Sequence, residues 1–199
     1  NAYVEFNLSD YDKKDSELIY YSSVEEAILN SPLNAENEEF SVPEDFLNHV
    51  DEILHIWNGK QYDTIFYRAG SDNDPVQGFV MARCKKQVEE ATVQYAFMNA
   101  TPVTTKADSI LISDITELIH SSLKLSDFQQ DLNPNYPDTR FVFGYAHDKE
   151  IYSLEVEGQK PDGVIEINVY DRTMYLWYYD DLKSDKRGNN LSYSVDMPE

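Results

Sequence analysis

Thr64-Ile65-Phe66-Tyr67-Arg68-Ala69, Gly78-Phe79-Val80-Met81-Ala82-Arg83-Cys84-Lys85 and Thr92-Val93-Gln94-Tyr95-Ala96-Phe97-Met98-Asn99 are the segments that decide the fold class. Each is rich in β-branched and aromatic residues and carries apolar side chains at a period of two, the pattern of a half-buried strand. Ser71-Asp72-Asn73-Asp74-Pro75 reads as the turn between the first two, and residues 88–91 as the link between the second and third. Consecutive strands with short links predict an antiparallel meander.

Upstream, residues 17–21 are short and apolar and read as a strand. Ser22-Ser23-Val24-Glu25-Glu26 follows with two overlapping capping boxes, in which a serine oxygen accepts a helix N-terminal amide and the glutamate three residues on reaches back. Val24, Ala27 and Ile28 form the apolar face, and Pro32 ends the helix because the residue before a proline avoids helical geometry. An Asn- and Glu-rich linker covers residues 34–39. Ser41-Val42-Pro43-Glu44 then predicts a second helix, with Phe46, Leu47, Val50, Ile53 and Leu54 recurring at spacings of three and four as its buried stripe.

Beyond a Thr-rich connector at residues 102–107, residues 110–112 read as a strand feeding a helix capped at Ser113-Asp114. The helix stripe is Ile115, Leu118, Ile119 and Leu123. Residues 140–146, 151–157, 164–170 and 173–179 predict four more strands in one antiparallel meander, the last pair closed by a tight turn at Asp171-Arg172. The expected fold class is therefore α+β: antiparallel sheets with a few helices packed on one face. The halves run over residues 1–101 and 108–199, or form one continuous domain. Residues 19–28 lie over residues 110–119 at a constant offset of 91, and residues 63–66 over 138–141 at an offset of 75. This admits either a duplicated strand, helix and meander unit or the recurrence of one favourable motif.

The 199 residues include 16 Lys plus Arg against 37 Asp plus Glu, a net charge of −21. Clustered cations are what displace counterions from phosphates, and the densest basic run is Arg83, Lys85 and Lys86, so nucleic acid and anionic membranes are poor partners. The charge is expected to act first as a solubility device dispersed over the surface. Aromatic residues make up 13% of the chain, far from the profile of a disordered segment. Cys84 is the single cysteine, which excludes an internal disulfide. No apolar run approaches the roughly 20 residues of a membrane span. Asn1-Ala2 opens the sequence without an initiator methionine, which leads us to expect that an N-terminal signal peptide or membrane anchor was cut away.

Motifs of catalysis do not emerge. His49, His55, His120 and His147 show no ligand spacing, and the seven glycines never cluster into a phosphate loop. No catalytic residue, metal or cofactor is assigned. Asp72 and Asp74 form the best cation candidate, since alternate carboxylates in a tight loop can present hard oxygens to calcium, but Val76 and Gln77 break the calcium-loop pattern and the pair is read as an Asx-type turn in preference to a cation site. In Tyr175-Leu176-Trp177-Tyr178-Tyr179, alternation puts Tyr175, Trp177 and Tyr179 on one face, either of a central strand packed on both sides or of an aromatic ledge offered to a ligand.

Residues 22–28, Thr64-Ile65-Phe66-Tyr67 with Gly78-Phe79-Val80-Met81-Ala82-Arg83, and residues 143–151 with Leu154-Glu155-Val156-Glu157-Gly158 resemble the extracytoplasmic portions of small uncharacterised lipoproteins of Gram-positive bacteria. That resemblance implies an anchored, secreted, non-enzymatic domain of unknown role, and it transfers no catalytic residue; the leading expectation is a non-catalytic module outside a bacterial membrane that binds an unknown protein or small ligand. The rival reading is an acidic DNA mimic or immunity-type inhibitor of a basic nuclease or DNA-binding protein. An enzyme of unfamiliar type would need a deep pocket with convergent, perturbed carboxylates or histidines.

Overall fold

The computed structural model describes residues 17–31, 48–70, 77–102, 114–131, 140–169 and 172–197. The chain is α+β and divides into two compact units, Asn1–Ser109 and Ile110–Glu199.

In the first unit, α1 (Val24–Leu29) starts as its sequence dictates. Ser23 Oγ accepts the Glu26 N–H at 3.1 Å, and the Glu26 carboxylate accepts from Ser22 N at 3.2 Å and Ser22 Oγ at 2.6 Å. Val24, Ala27 and Ile28 are buried. Asn48 helps hold the other end of the helix by donating from Nδ2 to the Ile28 carbonyl at 2.8 Å and the Ser31 carbonyl at 3.2 Å. Pro32 lies outside the described residues. The strand expected at residues 17–21 is reduced to one antiparallel bridge, Tyr21 with Tyr95.

Four strands follow in sequence order: β1 (Glu52–Asn58), β2 (Tyr62–Ala69), β3 (Gly78–Glu89) and β4 (Thr92–Pro102), all antiparallel. β1 corrects the helix expected to carry Ile53 and Leu54. Val50, Ile53, Leu54 and Trp57 repeat at three and four, yet the strand is bulged between Ile53 and His55. The bulge puts Ile53 and Ile56, three apart, against the same core, while Trp57 is also buried. A bulged strand with apolar residues on both faces thus imitates a helical period. Val50, Ile53 and Leu54 are only partly buried, and Phe46 and Leu47 lie outside the described residues.

The first core joins Val24, Ala27 and Ile28 of α1 to Ile65, Tyr67, Val80, Ala82, Cys84 and Phe97 of the sheet. Between β3 and β4 the register pairs Glu89 with Thr92, so Glu90 and Ala91 make a two-residue turn, with φ values of 48° and 68°. Such turns favour Asn-Gly, because left-handed backbone costs other L residues roughly 1 to 2 kcal/mol each. Replacing Glu90-Ala91 by Asn-Gly is expected to raise stability by about 1 kcal/mol in urea denaturation.

In the second unit, α2 (Ile115–Asp131) is capped by Asp114, whose Oδ1 accepts the Thr116 N–H at 2.7 Å. Its stripe is confirmed at Ile115, Ile119 and Leu123, all buried, with Leu118 partly so. Replacing Ile119 with alanine is expected to cost about 2 to 5 kcal/mol by calorimetry or denaturant titration, from lost transfer energy plus a cavity.

The predicted four-strand meander is corrected here. β5 (Val142–Ala146), β7 (Gly163–Val169) and β8 (Arg172–Tyr179) form a three-stranded sheet in the order β5-β8-β7. Residues 151–157 leave it: Lys149–Ser153 is a 3-10 turn, and β6 (Glu155–Val156) pairs instead with β9 (Tyr193–Ser194). The reason is in the spacing, since the buried residues Ile151 and Leu154 are three apart, the repeat of a 3-10 turn and not of a strand. Val169 pairs with Arg172, so Arg172 belongs to the strand and not to the turn; Asp171 lies outside the described residues.

Gly144 lies under α2, where a Cβ would overlap Ser122 and the Trp177 ring. The duplication is not confirmed. The first sheet is a consecutive meander and the second is not, and residues 63–66 lie in β2 while Arg140 and Phe141 precede β5.

Candidate functional site

Asp72 and Asp74 lie outside the described residues. Tyr175, Trp177 and Tyr179 are 9%, 0% and 2% exposed and share a core with Ile115, Ile119 and Leu123 of α2. Met174 and Leu176, on the opposite face of β8, are also buried. The chain's own residues fill the place of the aromatic ledge, and β8 is a central strand buried on both faces. Among the described residues no group of three or more His, Cys, Asp or Glu could hold a metal ion, and no helix is long and apolar enough to cross a membrane.

The first unit buries a polar group in its core. Lys86 Nζ lies 2.8 Å from Asp63 Oδ1 and donates to the Gly59 carbonyl, while Cys84 sits opposite Asp63 across the strands. Burial pushes the Cys84 thiol up to about 12, helped by the Asp63 charge, so the thiolate a nucleophile needs is not formed near neutral pH. Burial likewise holds Asp63 above the usual carboxylate range, outweighing Lys86. His147 is lowered by burial, against the pull of Asp148. These shifts follow from packing.

A different arrangement stands out in the second unit. Residues 180–187 run Asp-Asp-Leu-Lys-Ser-Asp-Lys-Arg without a helix or strand, yet four side chains from elsewhere fix them, the first being Asp162, whose Oδ2 accepts the Asp180 N–H at 2.7 Å. Arg140, 7% exposed, donates from Nη1 to the Lys186 carbonyl at 2.6 Å, its N–H reaches Asp181 Oδ1 at 3.0 Å, and its carbonyl accepts the Leu182 N–H at 2.8 Å. Gln159 meets Lys183 reciprocally, donating from Nε2 to its carbonyl at 2.7 Å and accepting its N–H at 3.1 Å. Glu157 pairs with Lys186 Nζ at 2.8 Å. Leu182 is buried, whereas Asp180, Lys183, Asp185, Lys186 and Arg187 are exposed. A backbone held this firmly presents polar side chains at fixed positions, the arrangement of a recognition loop on a rigid scaffold.

Sequence reading passed over this loop. Its signal is a charged run bracketed by two apolar anchors, Leu182 and Leu191, both buried. The fixing residues lie 18 to 46 positions upstream, beyond any local pattern.

Glu157 is held well below the carboxylate range, at about 2, first by Lys186 and then by the backbone and hydroxyl of Ser192. Its unfolded value is the higher one, so its contribution to stability is present above that value and is lost as pH falls through the interval down to about 2. Glu157→Gln is expected to flatten that part of the stability curve in denaturant titrations at successive pH values. An unchanged slope would show that the carboxylate is not so held.

These two antiparallel units are the class of protein that the fold defines. Comparisons with protein-family models, with curated proteins and with solved structures returned no match.

Proposed function

We propose that this chain is a non-catalytic binding module that works outside a bacterial membrane, with residues 180–187 as its recognition loop. The observation that carries the reading is the fixing of an exposed, charged, irregular segment by Arg140, Gln159 and Glu157. Order of that kind lowers the entropy lost when a partner docks. The extracytoplasmic setting rests on the resemblance to Gram-positive lipoproteins and is part of the proposal.

The test is capture by immobilised protein from an exported-protein fraction, with wild type compared against a variant carrying alanine at Lys183, Asp185 and Arg187. A partner held by wild type and lost by a variant of unchanged circular dichroism and Tm is the expected result. Equal capture by both would remove the loop from recognition.

The net charge of −21 favours a second reading, the acidic mimic. Exposed carboxylates such as Glu52 and Glu89 in the first unit and Asp148 and Glu166 in the second occur in both, in keeping with the dispersed, solubilising role. Long-range attraction weakens steeply with salt. A salt-sensitive nuclease or DNA-binding partner that ignores the loop substitutions would replace the first reading with the second.

A further inference from the structure

Residues 188–197 form a strap across the second unit. Leu191, Tyr193 and Val195 pack on its core while Ser192, Ser194 and Asp196 are exposed, the alternation of an extended peptide laid on a surface. Its seat is an edge. β6 offers Glu155 and Val156 to pair with Ser194 and Tyr193, and the Glu157 N–H continues the ladder to the Ser192 carbonyl at 2.9 Å. Ser153 Oγ accepts the Asp196 N–H at 2.7 Å, and Tyr193 OH reaches the Thr116 carbonyl at 3.1 Å. Glu157 clasps the strap by accepting from Ser192 Oγ at 2.7 Å and from the Ser192 N–H.

The attachment is short. A two-residue ladder is well below the roughly five to six residues of an ordinary strand, so few backbone bonds hold the strap. The chain before it is anchored through Leu182, Arg140 and Gln159, whereas Gly188, with φ of 50°, begins an exposed turn through Asn190. A fixed base, a glycine pivot and a brief ladder are the features expected of a segment whose opening is local to it.

We propose that the edge formed by β6, the 149–153 turn and the start of α2 is a peptide-docking groove occupied by the chain's own strap, and that the strap of a second copy takes its place by strand exchange. The occupant follows from the groove's present content: this same sequence fits it, with Leu191, Tyr193 and Val195 on the core side. Reciprocal exchange restores the contacts of residues 191–196 and costs association entropy and the hydrogen bonds of the 188–190 turn, which places the dimer at high protein concentration. The proposal is independent of the role of residues 180–187.

Hydrogen exchange on the full chain tests the opening. The amides of residues 191–196 are expected to exchange faster than those of β8 and with little dependence on denaturant. Glu157→Gln should accelerate them roughly tenfold or more, the effect of weakening a charge-assisted clasp, with the strap amides still exchanging well ahead of β8. Mixing two differently tagged populations at about millimolar concentration, then diluting and capturing through one tag, tests the exchange. Mixed species should accumulate, and faster in Glu157→Gln by about the factor seen in its strap amides. Ser153→Ala, which removes the bond to Asp196, repeats both measurements with a different contact. Strap amides that exchange only together with β8, or the absence of mixed species after incubation, would overturn the proposal.

Discussion

Lys86→Met is expected to destabilise the first unit by about 3 to 5 kcal/mol, the cost of leaving one member of a buried ion pair without its partner. Asp63 is 2% exposed and sits on the core face of β2 between Asn58 and Cys84 of the flanking strands. Lys86, from β3, meets its carboxylate and the Gly59 carbonyl together. Without the ammonium, the buried carboxylate has lost its nearest opposite charge. The double variant Asp63→Leu with Lys86→Met is expected to recover most of the loss, because a well-packed apolar pair of similar volume often equals or exceeds a buried ion pair. Urea denaturation of the two single variants and the double closes the cycle. Burial already raises Asp63, and removing Lys86 raises it further. A raised carboxyl binds its proton more tightly in the folded state, so stability of Lys86→Met should rise as pH falls through the interval between the unfolded and folded values. Stability insensitive to acid there would mean that water reaches the site.

Trp177→Ala is expected to cost about 3 to 5 kcal/mol in the second unit. Its side chain is fully buried in the centre of β8, opposite Gly144 on β5 and Val164 on β7, and edge-on to Tyr179 with centroids 6.2 Å apart. Gly144 gives the indole its room, and a methyl there would overlap the ring. The indole N–H is buried, with no hydrogen-bond partner among the described residues. Trp177→Phe is therefore expected to cost far less than its volume change suggests, since it also removes a desolvated donor worth about 1 to 3 kcal/mol. Calorimetry of the two variants separates packing from desolvation. A phenylalanine variant as damaged as the alanine variant would show that the N–H has a partner such as a bound water.

α1 was legible in every detail that local chemistry controls. Ser22, Ser23 and Glu26 lie within one turn of each other, and capping is a bargain among neighbours that no tertiary contact is needed to strike. The same holds for the α2 stripe and for β2, β3 and β4, whose alternation repeats long enough to exclude the helical period. β1 was misread because a bulge shifts its pattern by one residue at Ile53 to His55, and apolar residues on both faces then copy a helix. The candidate loop was missed for another reason. Its order comes from Arg140 and Gln159, and a charged run in sequence is indistinguishable from a solvated one until those side chains are seen to reach it.

By itself, then, the sequence determined the elements whose instructions are short-ranged: the capped helices, the alternating strands, the α+β class and the excess of negative charge. The tertiary structure alone decided which strands are neighbours, that residues 151–157 leave the second sheet for the 188–197 strap, and that the Tyr175, Trp177 and Tyr179 face is core. The physical reason is range. Caps and periodicity are read over three or four residues, whereas strand order depends on which apolar faces can be buried together, and β8 becomes central because both of its faces are apolar and an edge position would leave more of that surface in water.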